Sequence, residues 1–349
     1  MTNLHCAKFL GRPLRLRGKL FPYVPYVPSA GTAAKAIVLA AAAVFINAAN
    51  AQSSLPIKLI VPFAVSGPTD IAARLITPRL AISLGRPVIV ENKVGATGAI
   101  GAEFVARALP DGNTILFGTS SIMGANPAMS TKLAYDPVKD FLPVGLVATI
   151  DNVLVVHPSV PANNVEELIR YAKANPGKLF YGSSGLGSTY HLGAELFAKQ
   201  TGTVLTHVPY KGQGPAAQDL LAGHIQLMFD SYNSAYPNIQ SGRVRALGIA
   251  SAKRHPDLPD LPTIQEQGVN GYLTTIWVAF FLPAKTPKAI VDKQSAELIK
   301  VMQNPEVKES FAKLGMQAAT NSPDELGVLL KTELAKWTKV VKDANIKPE

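Results

Sequence analysis

Two stretches of this chain carry the residue types that hold an anion. The first is Val65-Ser66-Gly67-Pro68-Thr69-Asp70 and the second is Gly182-Ser183-Ser184-Gly185-Leu186-Gly187-Ser188-Thr189. Each follows a short apolar, β-branched run and precedes apolar residues at helical spacing, so each joins the end of a strand to the start of a helix. The first turn of a helix has unpaired backbone N–H groups and about half a positive charge from its dipole, and hydroxyls add further donors. Charge-assisted hydrogen bonds contribute roughly 1.5–3 kcal/mol each, so a handful supports micromolar binding, about −8 kcal/mol. If both loops face one cleft, a molecule with carboxylates can be held there without arginine. Taken singly, each loop also fits an ordinary βα connection, since Gly and Ser are common turn residues.

Other chemistries are less well served. Neither loop is followed by Gly-Lys-Ser/Thr, and Gly185-Leu186-Gly187 lacks the third glycine of a dinucleotide fingerprint. A serine hydrolase would need Ser183 or Ser184 with His191 and Asp230, but no Gly-x-Ser-x-Gly elbow is present. The six histidines show neither HExxH nor paired i, i+4 spacing, so no metal site and no cofactor is expected. Asp230 ends an apolar strand, where a carboxylate either caps the next helix or accepts a ligand ammonium or a water.

The elements that must position these loops alternate in type. Strand Ile57–Phe63 leads through the first loop to a helix that stops near Gly85, and strand Val88–Val90 leads through Gly95-Ala96-Thr97-Gly98 to the next. Strand Thr114–Phe117 then exits into Gly118-Thr119-Ser120-Ser121. A long apolar strand from Val147 to Val156, interrupted at Asp151-Asn152, reads as a crossing into a second series of units. These are a helix capped by Asn163 or Asn164, strand Leu179–Tyr181, the second loop, strand Val204–Val208, helix Pro215–Ala222 ended by Gly223, and strands Ile225–Phe229 and Arg245–Ala250. After a Pro-rich stretch, Ile276–Leu282 reads as a returning strand, followed by helices resembling an edge layer that end with Pro323–Ile346. The expected fold is α/β with two lobes joined by two crossing strands and a cleft between them. Residues 52–150 and 275–349 form one lobe, and 151–274 the other.

The N-terminal segment to Ala51 holds six Lys or Arg and no acid, then an apolar run from Ala36 to Ile46 ending in Ala49-Asn50-Ala51. That order predicts a secretory signal cut after Ala51, because the run is shorter than the roughly 20 residues a spanning helix needs. Removing it leaves 28 basic against 24 acidic side chains, a net +4, without the basic stripe that nucleic acid requires. The only cysteine, Cys6, goes with the signal, leaving a thiol-free chain suited to an oxidising compartment such as the periplasm. The remaining 298 residues suit two domains.

Several motifs together resemble the substrate-binding receptors of tripartite tricarboxylate transporters, the Bug family. They include Lys58-Leu59-Ile60-Val61-Pro62-Phe63-Ala64 through Gly67-Pro68-Thr69-Asp70, then Leu84-Gly85-Arg86-Pro87-Val88, Pro110-Asp111-Gly112, Tyr181-Gly182-Ser183, His207-Val208-Pro209-Tyr210-Lys211-Gly212 and Phe229-Asp230. The resemblance runs in order along nearly the whole chain after Ala51. It implies a periplasmic binding protein of the type II two-lobed fold, not an enzyme, that closes as a monomer on a small carboxylate (a di- or tricarboxylate, amino acid or aromatic acid). The ligand would pass to membrane transporter subunits or to a sensor protein. Matching positions imply ligand contacts from Gly67, Thr69, Asp70, Thr119, Ser120, Ser183, Ser184, Ser188, Thr189, His191 and Asp230, with Val65, Ser66 and Gly187 in the same loops. One departure stands out, because Val65-Ser66-Gly67 replaces the usual Pro-Gly-Gly.

Overall fold

Side-chain alternation decides what each face of the first sheet covers. In β1 (Ile57–Val61), Ile57, Leu59 and Val61 are buried on one face and Ile60 on the other, so the strand needs helices on both sides. The computed structural model describes residues 55–130 and 132–346. The described residues form one compact unit. The segment expected to be a signal cut after Ala51, and Cys6 within it, lie outside the described residues.

Helix α1 (Pro68–Leu84) starts with Pro at its first turn and ends at Gly85, whose left-handed conformation (φ 66°) closes the helix as the sequence predicts. Strand β2 (Val88–Asn92) pairs parallel with β1, and α2 (Ala99–Ala106) follows. Strand β3 (Thr114–Thr119) runs two residues beyond the predicted Phe117, then turns through a single π-helical turn, Ser121–Ala125, into α3 (Asn126–Met129). The chain next builds β4 (Phe141–Ile150) and β5 (Asn152–Val156), the predicted long strand broken at Asp151 and divided between two sheets.

The second sheet grows from α4 (Val165–Ala174), β6 (Phe180–Ser183), α5 (Thr189–Thr201), β7 (Thr206–Pro209), α6 (Gln213–Leu221), β8 (Leu227–Ser231), α7 (Tyr232–Gln240) and β9 (Arg245–Ile249). Of the two candidate caps for α4, Asn164 is the one whose side chain accepts the Glu167 amide. Helix α7 has no clear signature in the sequence, since it contains Pro237 and a mostly polar first turn. The chain returns in β10 (Ile276–Pro283), followed by α8 (Lys288–Gln303), α9 (Pro305–Lys313), β11 (Gln317–Ala318) and α10 (Pro323–Asp343).

The strand orders are β11-β4-β10-β3-β1-β2 and β7-β6-β8-β5-β9. The result is the two-lobed α/β fold, with loops after β1, β2, β3, β6 and β8 at the C-terminal ends of parallel strands, where such sheets bind ligands. Two segments cross between the sheets and are bonded to each other, Asn152 Nδ2 donating to the Thr274 carbonyl at 2.6 Å, and the Thr274 amide also donates to the Ala250 carbonyl after β9 at 3.0 Å. Helix α10 is no edge layer. Its Leu326 and Leu330 are buried against the first sheet, while Trp337, Val340 and Val341 share a core with Leu192 of α5 in the other lobe. Each such side chain contributes roughly 1.5–3 kcal/mol on burial. The helix therefore ties the lobes together at the hinge, helped by Lys336 Nζ donating to the Leu273 carbonyl at 3.0 Å.

Candidate functional site

Loop one is held by its own acid. The Asp70 carboxylate, 1% exposed, accepts the Ser66 amide (2.9 Å), Arg74 Nε (2.9 Å) and Asn92 Nδ2 (2.8 Å). Asn92, at the end of β2, also donates to the Phe63 carbonyl at 3.0 Å. The Arg74 hydrogen bond is the largest influence on Asp70 and, with the other donors, brings its pKa down to about 2 against the opposing effect of burial. Asp70 is thus a latch on the loop, accepting three donors from within the chain. Ser66, which stands where the related motif has glycine, adopts φ 66° in the left-handed region. Val65 is exposed, and the first helical hydrogen bond runs from Ile71 to Gly67, so the Thr69 and Asp70 amides are those of an open first turn.

The loop after β2 is wound more tightly than its sequence suggests. Gly95, Ala96, Thr97 and Gly98 all have positive φ (133°, 46°, 52° and 91°). The glycines are required on both sides of this turn. A Cβ on Gly98 would lie 2.6 Å from Ile122 Cδ1, and one on Gly101 would lie 2.7 Å from Pro62 Cβ. This brings α2 down onto the start of loop one and onto the π turn. Asn126 Nδ2 then fixes the loop through the Thr97 carbonyl at 3.0 Å. At the exit of β3, Thr119 Oγ1 accepts the Ile122 amide at 3.4 Å, and Ser120 is buried with no hydrogen-bond partner for its hydroxyl.

Loop two rests on a stack of rings. His191 and His207 lie 4.1 Å apart between centroids, and His207 stacks on Tyr181 at 4.8 Å. Burial lowers the pKa of His191 to about 3, with neighbouring His207 adding to the effect, and burial lowers His207 to about 4, so both rings are neutral near pH 7. His191 Nδ1 accepts the Gly187 amide at 3.1 Å, which places its ring proton on Nε2. Ser183 is fully buried. Its Oγ lies 2.7 Å from His207 Nε2, donates to the Gly185 carbonyl (3.1 Å) and accepts the Gly185 amide (3.2 Å). Ser188 caps α5 by accepting the His191 amide at 3.2 Å and donates to the Gly185 carbonyl at 2.8 Å. With His191 capped and Leu192 bonded to Ser188 within the helix, the open amides at this helix end are those of Thr189 and Tyr190.

Between the lobes lies a cavity of about 650 Å³. Ser184, Leu186, Gly187, Ser188, Thr189 and Tyr190 form its wall on one lobe. Phe63, Thr97, Ile100, Ser121, Met129 and Lys132 are prominent on the other. Of the residues implied by sequence, the cavity takes Ser184, Gly187, Ser188 and Thr189. Ser183 and His191 sit behind them as the support of the loop. Val65, Ser66, Gly67, Thr69 and Asp70 do not line this cavity, nor do Thr119 and Ser120. Asp230 also lies outside the lining. It accepts the Ser231 amide (2.8 Å) and Gln213 Nε2 (3.1 Å), and burial raises its pKa to about 6. Burial, followed by the Asp230 charge, raises the pKa of Tyr190, which lines the cavity.

Thr97, Ile100, Tyr190 and the π-turn residue Ser121 also line the cavity and are not among the residues expected from the sequence. The signal for the first two was the Gly-Ala-Thr-Gly run, which read only as a helix lead. The hydrolase arrangement is not assembled through Ser183: it meets His207 and not His191, it has no exposure to solvent, and Asp230 bonds Gln213 and Ser231. Among the described residues no three His, Cys, Asp or Glu side chains group as a metal site.

Comparison with known proteins agrees with this architecture. Over residues 72–346 the chain matches the tripartite tricarboxylate transporter family receptor. BugT of Bordetella pertussis is 33% identical over 300 residues, covering 86% of this chain and 92% of BugT. A protein of R. palustris solved with adipate is 38% identical with a TM-score of 0.72, covering 84% of this chain and 98% of that one. MatC from Rhodopseudomonas palustris, with bound malate, is 35% identical with a TM-score of 0.68, covering 82% and 98%. A sequence match of this extent and a shared two-lobed fold make the chain a member of the tripartite tricarboxylate transporter receptor family, to which the Bug proteins belong.

Proposed function

We propose that this protein is a periplasmic receptor that captures a small carboxylate between its lobes and delivers it to a membrane transporter. The observation that carries the reading is the cavity at the lobe junction, into which the N-terminus of α5 brings the open Thr189 and Tyr190 amides. Ser184, Ser188 and Gly187 complete that wall, and Thr97 and Ser121 face it. Adipate and malate in two related structures support a carboxylate here. Residues 52–150 with 275–349 act as one lobe and 151–274 as the other, hinged at Asp151–Asn152 and Thr274. The chain is exported by its N-terminal segment, cut after Ala51, and works as a monomer. On this reading it binds without catalysis, which the burial of Ser183 and its bonds to His207 and Gly185 support.

Thermal unfolding of the chain from Gln52 against di- and tricarboxylates, amino acids and aromatic acids tests this. A ligand at a hundred times its Kd stabilises by about 2.7 kcal/mol, raising Tm by roughly 5 °C or more. A flat response to every acid would remove the reading.

A further inference from the structure

Helices cover both faces of the two sheets, and this divides the lobe junction into two sides. On the cavity side lie α2 and α10 of the first lobe and α5 of the second, joined in the core around Trp337 and Leu192. On the opposite side lie α1, α8 and α9 of the first lobe and α6 and α7 of the second. The lobes touch there as well. Gly315, which follows α9, faces Asn233 in the first turn of α7 so closely that a Cβ on the glycine would stand 2.3 Å from Asn233 Cβ and 3.0 Å from its Cα. Neighbouring residues tie this contact to the crossing. The Tyr232 amide donates to the Asp151 carbonyl at 2.8 Å, and Gln317 Nε2 donates to the Asp151 carboxylate at 2.8 Å.

A contact beside the pivot, on the side away from the cavity, acts as a stop. Turning the lobes about the crossing strands to widen the cleft brings this side together, and backbone already in contact has no room to give. Its counterpart across the cavity is Gly187 against Met129, where added bulk resists closing instead. We infer that Asn233 and Gly315 set how far the cleft opens, and thereby how tightly the receptor holds its ligand. Affinity falls with the fraction of molecules outside the closed form, so a stop that shortens the opening raises it. This rests on the receptor reading above and adds two positioning residues that do not line the cavity.

The chain from Gln52 has no cysteine, so spin labels can be placed at Val94→Cys and Val204→Cys, exposed positions in different lobes and outside the cavity lining. Electron–electron resonance then reads the interlobe distance without ligand. Gly315→Ala should shorten it by about 1.5 Å or more, the step from 2.3 Å to ordinary carbon contact near 3.8 Å. Gly85→Ala is the control, because Gly85 has the same left-handed backbone (φ 66° against 67°) with nothing within 4 Å of an added Cβ. It should lower stability in the same way and leave the distance unchanged. Asn233→Gly, which removes the opposing Cβ, should lengthen the distance. Calorimetric titration with adipate gives the second readout. Kd should fall about three- to tenfold in Gly315→Ala, stay within about twofold in Gly85→Ala and rise about twofold in Asn233→Gly. A Gly315→Ala distance equal to the parent's, or an equal shortening in Gly85→Ala, would overturn the inference. If circular dichroism shows Gly315→Ala unfolded, Asn233→Gly decides it, and an unchanged or shorter distance there would overturn it. The expected distances without adipate binding in any chain would support the stop and count against the receptor reading alone.

Discussion

Asp70 receives the backbone amide of Ser66 at 2.9 Å, and Ser66 is held in a left-handed conformation that an L side chain disfavours. The carboxylate that looked like a ligand contact is therefore what shapes the loop. Its lowered pKa, about 2, means that the interaction stabilises the fold fully above about pH 4 and is lost as pH falls through 2. Asp70→Asn should cost about 1–2 kcal/mol at pH 7, a figure discounted because solvent screens the half-exposed Arg74. Urea unfolding at pH 7 and pH 2.5 checks it: the gap between variant and parent should shrink at the lower pH.

Ser66 itself offers the converse test. Relief of left-handed strain is worth about 1–2 kcal/mol, while glycine gives back part of that through greater freedom in the unfolded chain. Ser66→Gly should raise Tm by about 1–3 °C, and Ser66→Val, with a branched side chain at φ 66°, should lower it. Differential scanning calorimetry reads both signs.

The two stacked histidines predict a pH dependence. Each binds a proton more readily when unfolded, near pH 6.5, than when folded, near 3 or 4, so its contribution is complete above pH 6.5 and falls as the solution is acidified. The slope is about 1.4 kcal/mol per pH unit for each ring. Asp230, raised to about 6, acts in the opposite sense between pH 4 and 6, so the effect must be read as a difference. Subtracting the unfolding free energy of His191→Gln from that of the parent, from pH 7 to 4.5, should give a difference that shrinks by roughly that slope. A pH-independent difference would contradict neutral burial.

Much of this molecule could be read from its sequence, and the reasons for the failures are physical. Strands β1, β5 and β10 are near-continuous apolar runs, and Gly85 and Gly223 mark helix ends, so both sheets and the crossing at Asp151 were legible. The exclusions of metal and dinucleotide sites rested on spacing alone. Of the residues expected at the ligand, those that line the cavity all belong to loop two. Asp70 bonds inward to Ser66 and Arg74, each four residues away, a local pairing the loop's composition hides, and to Asn92, 22 residues away, which only the fold brings near. The meeting of Ser183 with His207 likewise depends on parallel pairing of β6 and β7, where Ser183 sits opposite Pro209. Thr97 and Ile100 escaped because a glycine-flanked run looks like any helix lead.

Gly187 joins the two lobes across the cavity. Its φ is 72°, and a Cβ there would approach Met129 Cγ to 3.0 Å. Gly187→Ala should lower Tm by a few degrees through the backbone cost of about 1 kcal/mol. It should also weaken acid binding about tenfold by pushing loop two from the opposite wall. Titration of the acid that most stabilises the parent gives the second number.

The central claim is that a carboxylate is held at the lobe junction between loop two and the loop before α2. Hydrogen exchange followed by mass spectrometry, with and without the most stabilising acid at saturation, tests it most directly. The account predicts protection concentrated in residues 184–190 and 95–100, strongest at the Thr189 and Tyr190 amides. Protection confined to other surfaces, with these two segments unchanged, would contradict it.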